Sequence, residues 1–230
     1  MVINNSNRGK SHFLIMPYGQ HCDYDNYLKD GYSHLDENPK LLLFIAPTFN
    51  YCSSELMTFN IVEFARIENF ANFDRDFFYK LNYKYNFERE ALEFEREEVL
   101  YAHIKYLRDN YPEYKLFPIF YNNIKQGVIK SIIEDYWGEC SFVLLTTMSV
   151  GLNYNDAKRI DEFHAAELEQ NRANNLTHLD FSAFIILPEI MEFNKTNNFK
   201  FKRIRLSNSG DNNNNMASTT GYGAWYSDEM

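Results

Sequence analysis

Four short, almost continuous apolar runs set the terms on which this chain can fold. They are His12-Phe13-Leu14-Ile15-Met16 ahead of Pro17, Leu41-Leu42-Leu43-Phe44-Ile45-Ala46 ahead of Pro47, Tyr114-Lys115-Leu116-Phe117-Pro118-Ile119-Phe120, and Ser141-Phe142-Val143-Leu144-Leu145-Thr146-Thr147. Runs this short fit strands better than helices, and their lack of in-and-out alternation fits strands covered on both faces, as in parallel sheets. Helical periodicity fills the gaps. Asp74 is placed to cap a helix carrying Phe77, Phe78 and Leu81. Glu88 to Asn110 is dense in Glu and Arg, with Leu92, Val99, Leu100, Ile104 and Leu107 near helical spacing, and predicts one helix with a solvated charged face. Val128, Ile129, Ile132 and Ile133 mark another. Asn155 to Gln170 predicts a helix that buries Ala157, Ile160, Phe163, His164 and Leu168, and a further one from about Leu179 to Phe193 is kinked or divided near Pro188. Strands alternating with helices predict an α/β fold, a three-layer αβα sandwich with a mostly parallel or mixed sheet. No linker or repeat interrupts residues 1–230, so one domain is expected, and Ser207 to Ser218 reads as a long irregular loop.

Composition narrows the function classes. The 230 residues carry a formal charge of −9, which repels phosphate backbones and argues against nucleic acid as a partner. No apolar run reaches the roughly 20 residues that span a bilayer, so no membrane association is expected. The polar start Met1 to Arg8 lacks a signal-peptide core, and three widely spaced cysteines, Cys22, Cys52 and Cys140, fit neither a disulfide framework nor a four-cysteine zinc site. A reduced, cytoplasmic protein is the expectation. Phe, Tyr and Trp together reach 17 %. Codons rich in A and T explain most of that excess, and stacking rings for a ligand are the sharper alternative.

Ligand sites in open α/β sheets gather beyond the C-terminal ends of strands. Pro17-Tyr18-Gly19-Gln20-His21-Cys22-Asp23-Tyr24 follows the first run, Pro47-Thr48-Phe49-Asn50-Tyr51-Cys52 the second, and Thr146 to Tyr154 the fourth. Asn208-Ser209-Gly210-Asp211 and Gly221-Tyr222-Gly223 stand near the C-terminus. His21, Cys22 and Asp23 are adjacent, and neighbours on an extended segment point to opposite faces, so the three do not bind one ion without a sharp turn. His164 and His178 read as packing or capping residues, His103 as a surface or partly buried residue, and Asp156 and Asp161 as helix-start and surface charges. No Gly-x-Ser-x-Gly elbow, P-loop, dinucleotide fingerprint or His-Glu-x-x-His pair is present.

The order of these segments resembles the Memo family, whose bacterial members are called AmmeMemoRadiSam system protein B. Pro17-Tyr18-Gly19-Gln20-His21 is similar to the family's Pro-His-Ala-Gly-Tyr, and Ala46-Pro47-Thr48-Phe49 to its Gly-Pro-Ser-His. Ala71 to Phe77 resembles its Gly-x-Val-x-Val-Asp-x-Glu-Leu passage, and Phe94 to Glu98 its Glu-His-Ser-Leu-Glu. Thr146 to Tyr154 resembles Ser-Ser-Asp-x-Ser-His-Tyr, and Asn208 to Asp211 with Gly221-Tyr222 is the clearest match. The resemblance runs from about residue 12 to 226. It implies a fold similar to class III extradiol dioxygenases and a pocket built from Tyr18, His21, Phe49, Tyr51, Glu98, Tyr154, Ser209 and Asp211. The family's metal-binding histidines fall on Tyr18, Phe49 and Glu95 here, and the last has become Asn153 or been lost. Phenylalanine does not ligate metals, and a phenol with a pKa near about 10 does so poorly.

Two functions follow. One is a binding or assembly partner without catalysis, with no cofactor, its pocket lined by rings and suited to a small molecule or a protein partner; the resemblance suggests a radical S-adenosylmethionine protein beside it. The other is a metal-dependent redox or dioxygenase-like enzyme with a rebuilt ligand set drawn from His21, Cys22 and Asp211, with Glu98 as a further carboxylate. A plain α/β domain unrelated to that family is the third.

Overall fold

Each of the four apolar runs is a strand, and together they form the centre of the molecule. In the computed structural model they are β1 (Phe13–Pro17), β2 (Leu41–Pro47), β5 (Lys115–Tyr121) and β6 (Ser141–Thr146). The residues described are 12–19, 22–35, 39–47, 56–59, 71–85, 87–90, 98–121, 127–172, 176, 181–213 and 216–229. Five further strands complete the sheet: β3 (Leu56–Phe59), β4 (Glu88–Glu90), β7 (Val150–Leu152), β8 (Phe199–Asn208) and β9 (Thr219–Glu229). The strand order is β4-β3-β5-β2-β6-β1-β9-β7, with β8 paired to β9. The central β5-β2-β6-β1 block is parallel, while β3, β9 and β8 add antiparallel pairs on its flanks. The sheet is therefore mixed.

Helices cover both faces, as buried-on-both-sides strands require. They are α1 (Tyr24–Tyr32), α2 (Arg75–Tyr85), α3 (Glu98–Asn110), α4 (Val128–Tyr136), α5 (Tyr154–Glu169), α6 (Phe181–Asn197) and the short α7 (Ser209–Asn213). Alternate side chains of one strand enter different cores. Phe13 and Ile15 of β1 join Leu43, Ile45, Phe142 and Leu144 beneath α2, α4, α5 and α6. Leu14 and Met16 join Leu42, Phe44, Val143 and Leu145 beneath α1 and α3. The chain is thus a three-layer αβα sandwich, and no helix among the described residues is long and apolar enough to cross a membrane.

Local chemistry explains several element ends. The Asp74 carboxylate accepts the Phe77 N–H at 3.0 Å and opens α2, and Lys115 pairs with its other oxygen at 3.0 Å. Asn153 caps α5 by accepting the Asp156 N–H at 3.0 Å. The N-terminus of α4 is capped from a distance: buried Glu189 of α6 accepts the N–H groups of Gly127 and Lys130. Pro188 lies inside α6 without ending it.

The structure corrects four expectations. Glu88 to Asn110 is not one helix: residues 88–90 form β4 on β3, and the described helix begins at Glu98. Strand pairing at a sheet edge overrides the helical propensity of Glu and Arg. Ser207 to Ser218 is not a loop throughout, because β8 runs to Asn208, α7 follows, and Asn208 lies in register with Gly221 of β9. His103 is fully buried on the apolar stripe of α3. On α5, Asp161 is 1 % exposed whereas Phe163 is 47 % exposed, the reverse of the expected pattern. Helical spacing places Asp161 with Ala157, Ala165 and Leu168, a quarter-turn or more from Phe163.

Candidate functional site

Strand order and helix placement together mark where a ligand site belongs. The chain leaves β1 for α1 on one face of the sheet, and leaves its neighbour β6 for α5 on the opposite face. Two adjacent parallel strands whose continuations diverge in this way leave a crevice beyond their C-terminal ends, the usual position for a ligand in an open α/β sheet. Tyr18 and Gly19 stand there after β1, and Thr147, Met148 and Ser149 after β6. The start of β9 closes a third side with Gly221 and Tyr222.

The segment after β1 is pinned by hydroxyl groups. Tyr18 is 6 % exposed, and its N–H donates to the Thr146 carbonyl at 2.9 Å. The Tyr24 hydroxyl accepts the Gly19 N–H at 3.0 Å and donates to the Gly19 carbonyl at 2.6 Å. Gly19 faces the Tyr222 ring so closely that a Cβ there would stand 2.9 Å from Tyr222 Cε1. The Tyr27 hydroxyl donates to the Tyr222 carbonyl at 2.9 Å and lies 3.0 Å from Ser207 Oγ, with the Arg205 guanidinium 5.6 Å from its ring. Beneath them a buried strut crosses two helices. Tyr32 OH lies 2.7 Å from His103 Nδ1, and His103 Nε2 lies 3.3 Å from the Pro17 carbonyl. Of the two neutral tautomers, only the one with its proton on Nε2 satisfies both partners, since Nδ1 then accepts and Nε2 donates.

Electrostatics at the crevice keep its groups protonated or neutral. Burial pushes the Cys22 thiol up to about 12, with Asp23 adding to the rise and Arg205 opposing it. Burial raises the Tyr24 and Tyr27 phenols above their ordinary range and Tyr222 to about 12. Burial lowers His103 to about 4. A thiol in that state is a poor nucleophile, and none of these groups changes charge near neutral pH.

The residues expected at the site distribute as follows. Tyr18 and Cys22 stand close to Tyr24 and Tyr222 beyond the end of β1, where Tyr27 and Tyr222 are buried. Tyr154 and Asp211 meet, the phenol donating to Oδ1 at 2.8 Å, while Asp211 Oδ2 accepts the Asn208 N–H at 2.9 Å. Ser209 Oγ accepts the Thr220 N–H at 3.0 Å, so this side chain ties α7 to β9. Gly210 is required there, because a Cβ would stand 2.7 Å from the Tyr154 ring. Burial is the main cause of the raised Tyr27 phenol, and Cys22 and Asp211, both near it, raise it further. Glu98 is exposed at the first turn of α3, and no contact joins it to the other expected site residues among those described. His21, Phe49 and Tyr51 lie outside the described residues. Among the described residues no three His, Cys, Asp or Glu side chains gather as a metal site requires.

Sequence reading held Tyr24 and Tyr222 only as members of candidate segments, read His103 as a surface or partly buried residue, and did not single out Tyr27. Their signal was present: Tyr24 and Tyr27 are one helical turn apart, and His103 interrupts the stripe Leu100, Ile104, Leu107. A second concavity of about 400 Å³ lies between the end of α5 and Lys200 to Arg203 of β8. It stands at the opposite end of the sheet, beside the start of β1, and its Arg203 is already paired with Glu162 at 2.7 Å and Glu169 at 2.6 Å. No protein-family model and no curated protein sequence matches the chain.

Proposed function

We propose that the chain is a Memo-like pseudoenzyme of the cytoplasm, a binding or assembly partner that takes an apolar or aromatic group at the crevice between β1 and β6. The observation that carries this reading is the chemistry of the crevice wall. Phenols and a thiol that stay protonated at neutral pH gather beyond the end of β1, where the resemblance would have a histidine at Tyr18. Rings with hydroxyl edges favour a flat partner, a small aromatic molecule or a peptide side chain, held by stacking and by one or two hydrogen bonds. The order of motifs adds a radical S-adenosylmethionine enzyme as the partner in assembly.

The test is calorimetric titration of the purified protein with p-cresol and a panel of aryl carboxylates. Saturable binding is expected, with loss in Gly19→Val, whose added methyl groups project onto Tyr222 and Thr147. Absence of binding across the panel overturns the reading. A second reading rests on Cys22 and Asp211 both lying near Tyr27, which with His21 would form a rebuilt metal set. One tight equivalent of iron, copper or zinc in purified protein, lost in a His21→Ala, Cys22→Ala double variant, would replace the first reading with this one.

A further inference from the structure

Asp161 is a carboxylate in a place that offers it little. It is 1 % exposed on the inner face of α5. Its Oδ1 accepts the Ser149 N–H at 2.9 Å. Its Oδ2 makes no hydrogen bond, nor does the hydroxyl of Ser149, and both atoms are buried. Oδ2 presses against β9 where only glycine is tolerated: a Cβ on residue 221 would stand 2.1 Å from it. Ser149 and Gly221 are themselves joined, since the Gly221 N–H donates to the Ser149 carbonyl at 2.8 Å and the Met148 N–H to the Gly221 carbonyl at 2.9 Å. One carboxyl group therefore fastens α5 to a double crossing of two segments, and those segments carry Thr147 and Tyr222 into the crevice.

We propose that Asp161 is a proton-operated latch that holds residues 147–149 and 219–222 against α5 and sets the position of two walls of the ligand crevice. Its consequence for ligand binding rests on the function proposed above; the latch itself does not. With a proton on Oδ2, the acid donates a hydrogen bond toward the Ser149 hydroxyl and the buried charge is gone. Without it, the carboxylate keeps the Ser149 N–H and the Ser149 hydroxyl can turn to donate to it. Its charge stays buried with no counter-ion among the described residues, a state that is relieved by letting water in beside Ser149. The latch is tight in acid and loose in base.

Among the described residues no cation pairs with this carboxylate. On α5 itself, Glu162 adds to the repulsion and His164 is buried one turn away. Arg203, which β8 brings to α5, is committed to Glu162 and Glu169, and Glu167 is paired with Arg172. From β7 come Val150, Gly151 and Leu152, and from β9 the glycine. Burial, in consequence, lifts the carboxyl to about 6, against the pull of Ser149.

Hydrogen exchange and carboxyl 13C NMR on the ligand-free, full-length protein between pH 5 and 8 test this. The Asp161 carboxyl is expected to titrate near 6, and protection of the Ser149 and Gly221 amides, corrected for intrinsic exchange, to fall roughly tenfold or more across the same midpoint. In Asp161→Asn, whose amide keeps the acceptor and supplies the donor, protection is expected to be flat with pH. Titration of Asp161 near 4, protection that ignores pH, or an Asp161→Asn profile that follows the parent each overturns the latch. Should that variant not fold, the 13C titration and the parent amides decide alone. Because no ligand is present, failure of p-cresol to bind leaves these outcomes unaffected.

Discussion

His103 and Asp161 are both buried titratable groups, and they tilt stability in opposite directions with pH. His103 stays neutral in the folded chain down to about 4, while a free imidazole titrates at 6.5. The unfolded chain therefore takes up the proton first as pH falls, and the stability held above 6.5 is lost through the window from 6.5 to about 4. Asp161 behaves in reverse. Its folded carboxyl holds a proton up to about 6, whereas the unfolded group releases it near 3.8, so stability present in acid is lost as pH rises between those values. Each shift corresponds to something on the order of 3 kcal/mol. The windows overlap, so the two slopes offset one another in the parent protein. Urea melts at half-unit steps from pH 4 to 7 are expected to show a shallow profile for the parent. Asp161→Asn should lose stability steadily on acidification, with His103 unopposed. His103→Gln, which can still accept from Tyr32 and donate to Pro17, should lose it on alkalinisation. Two variant profiles parallel to the parent would show that neither residue titrates as its burial requires.

Helix ends offer a prediction of a different kind, because one of them is capped by a side chain far away in sequence. Glu189 of α6 receives two N–H groups at the start of α4, where Gly127 sits in the left-handed region at φ 91°. A buried carboxylate on a helix N-terminus combines a cap with a favourable charge–dipole contact. Glu189→Ala is expected to lower stability by about 2 kcal/mol and Glu189→Gln by about 1 kcal/mol. Glu192→Ala, which removes only an exposed pairing with Lys130, should stay within about 0.5 kcal/mol. Chemical denaturation reads all three, and equal losses at Glu189 and Glu192 would remove the capping role. The contrast also shows what a sequence carries at this scale. The cap at Asp74 was legible because it stands beside the helix it opens. The cap at Glu189 was not, because the two partners are 59 positions or more apart. The same distinction separates the strands. β1, β2, β5 and β6 are buried on both faces and so announce themselves as apolar runs. β8 reads Phe199-Lys200-Phe201-Lys202-Arg203, with one face toward α5, and β4 reads Glu88-Arg89-Glu90; their place is fixed by pairing and not by composition. The site divides likewise. Its location followed from strand ends, but Tyr222 and Tyr27 reach the crevice only through the β8–β9 hairpin and α1, contacts that no local pattern encodes.

At the scale of the molecule, the decisive fact is that both cores hang on the same strands. Phe13 and Ile15 face the core under α4, α5 and α6, and Leu14 and Met16 face the core under α1 and α3; each of the four is at most 1 % exposed. β2, β5 and β6 divide their side chains in the same manner. Removing the helices from one face would uncover an apolar layer at about 25 cal/mol per Å² and at the same time leave the other layer resting on strands that have lost half their packing. Neither face is an independent unit, although the sheet separates them completely. Unfolding in urea should therefore be a single transition. The methyl signal of Ile132, on the α4 side, and that of Ile104, on the α3 side, are expected to vanish at the same midpoint, together with fluorescence from Trp137 and Trp225 and with far-ultraviolet dichroism. Midpoints that differ between the two methyls would mean that the layers melt separately and that the sheet is not their shared scaffold. Coincidence has a further consequence for the crevice. Tyr18 and Tyr222 both belong to the core under α1 and α3, so a ligand that bridges them is felt by the opposite layer through the strands the two layers share. Such a ligand stabilises the whole molecule and moves every probe by the same amount.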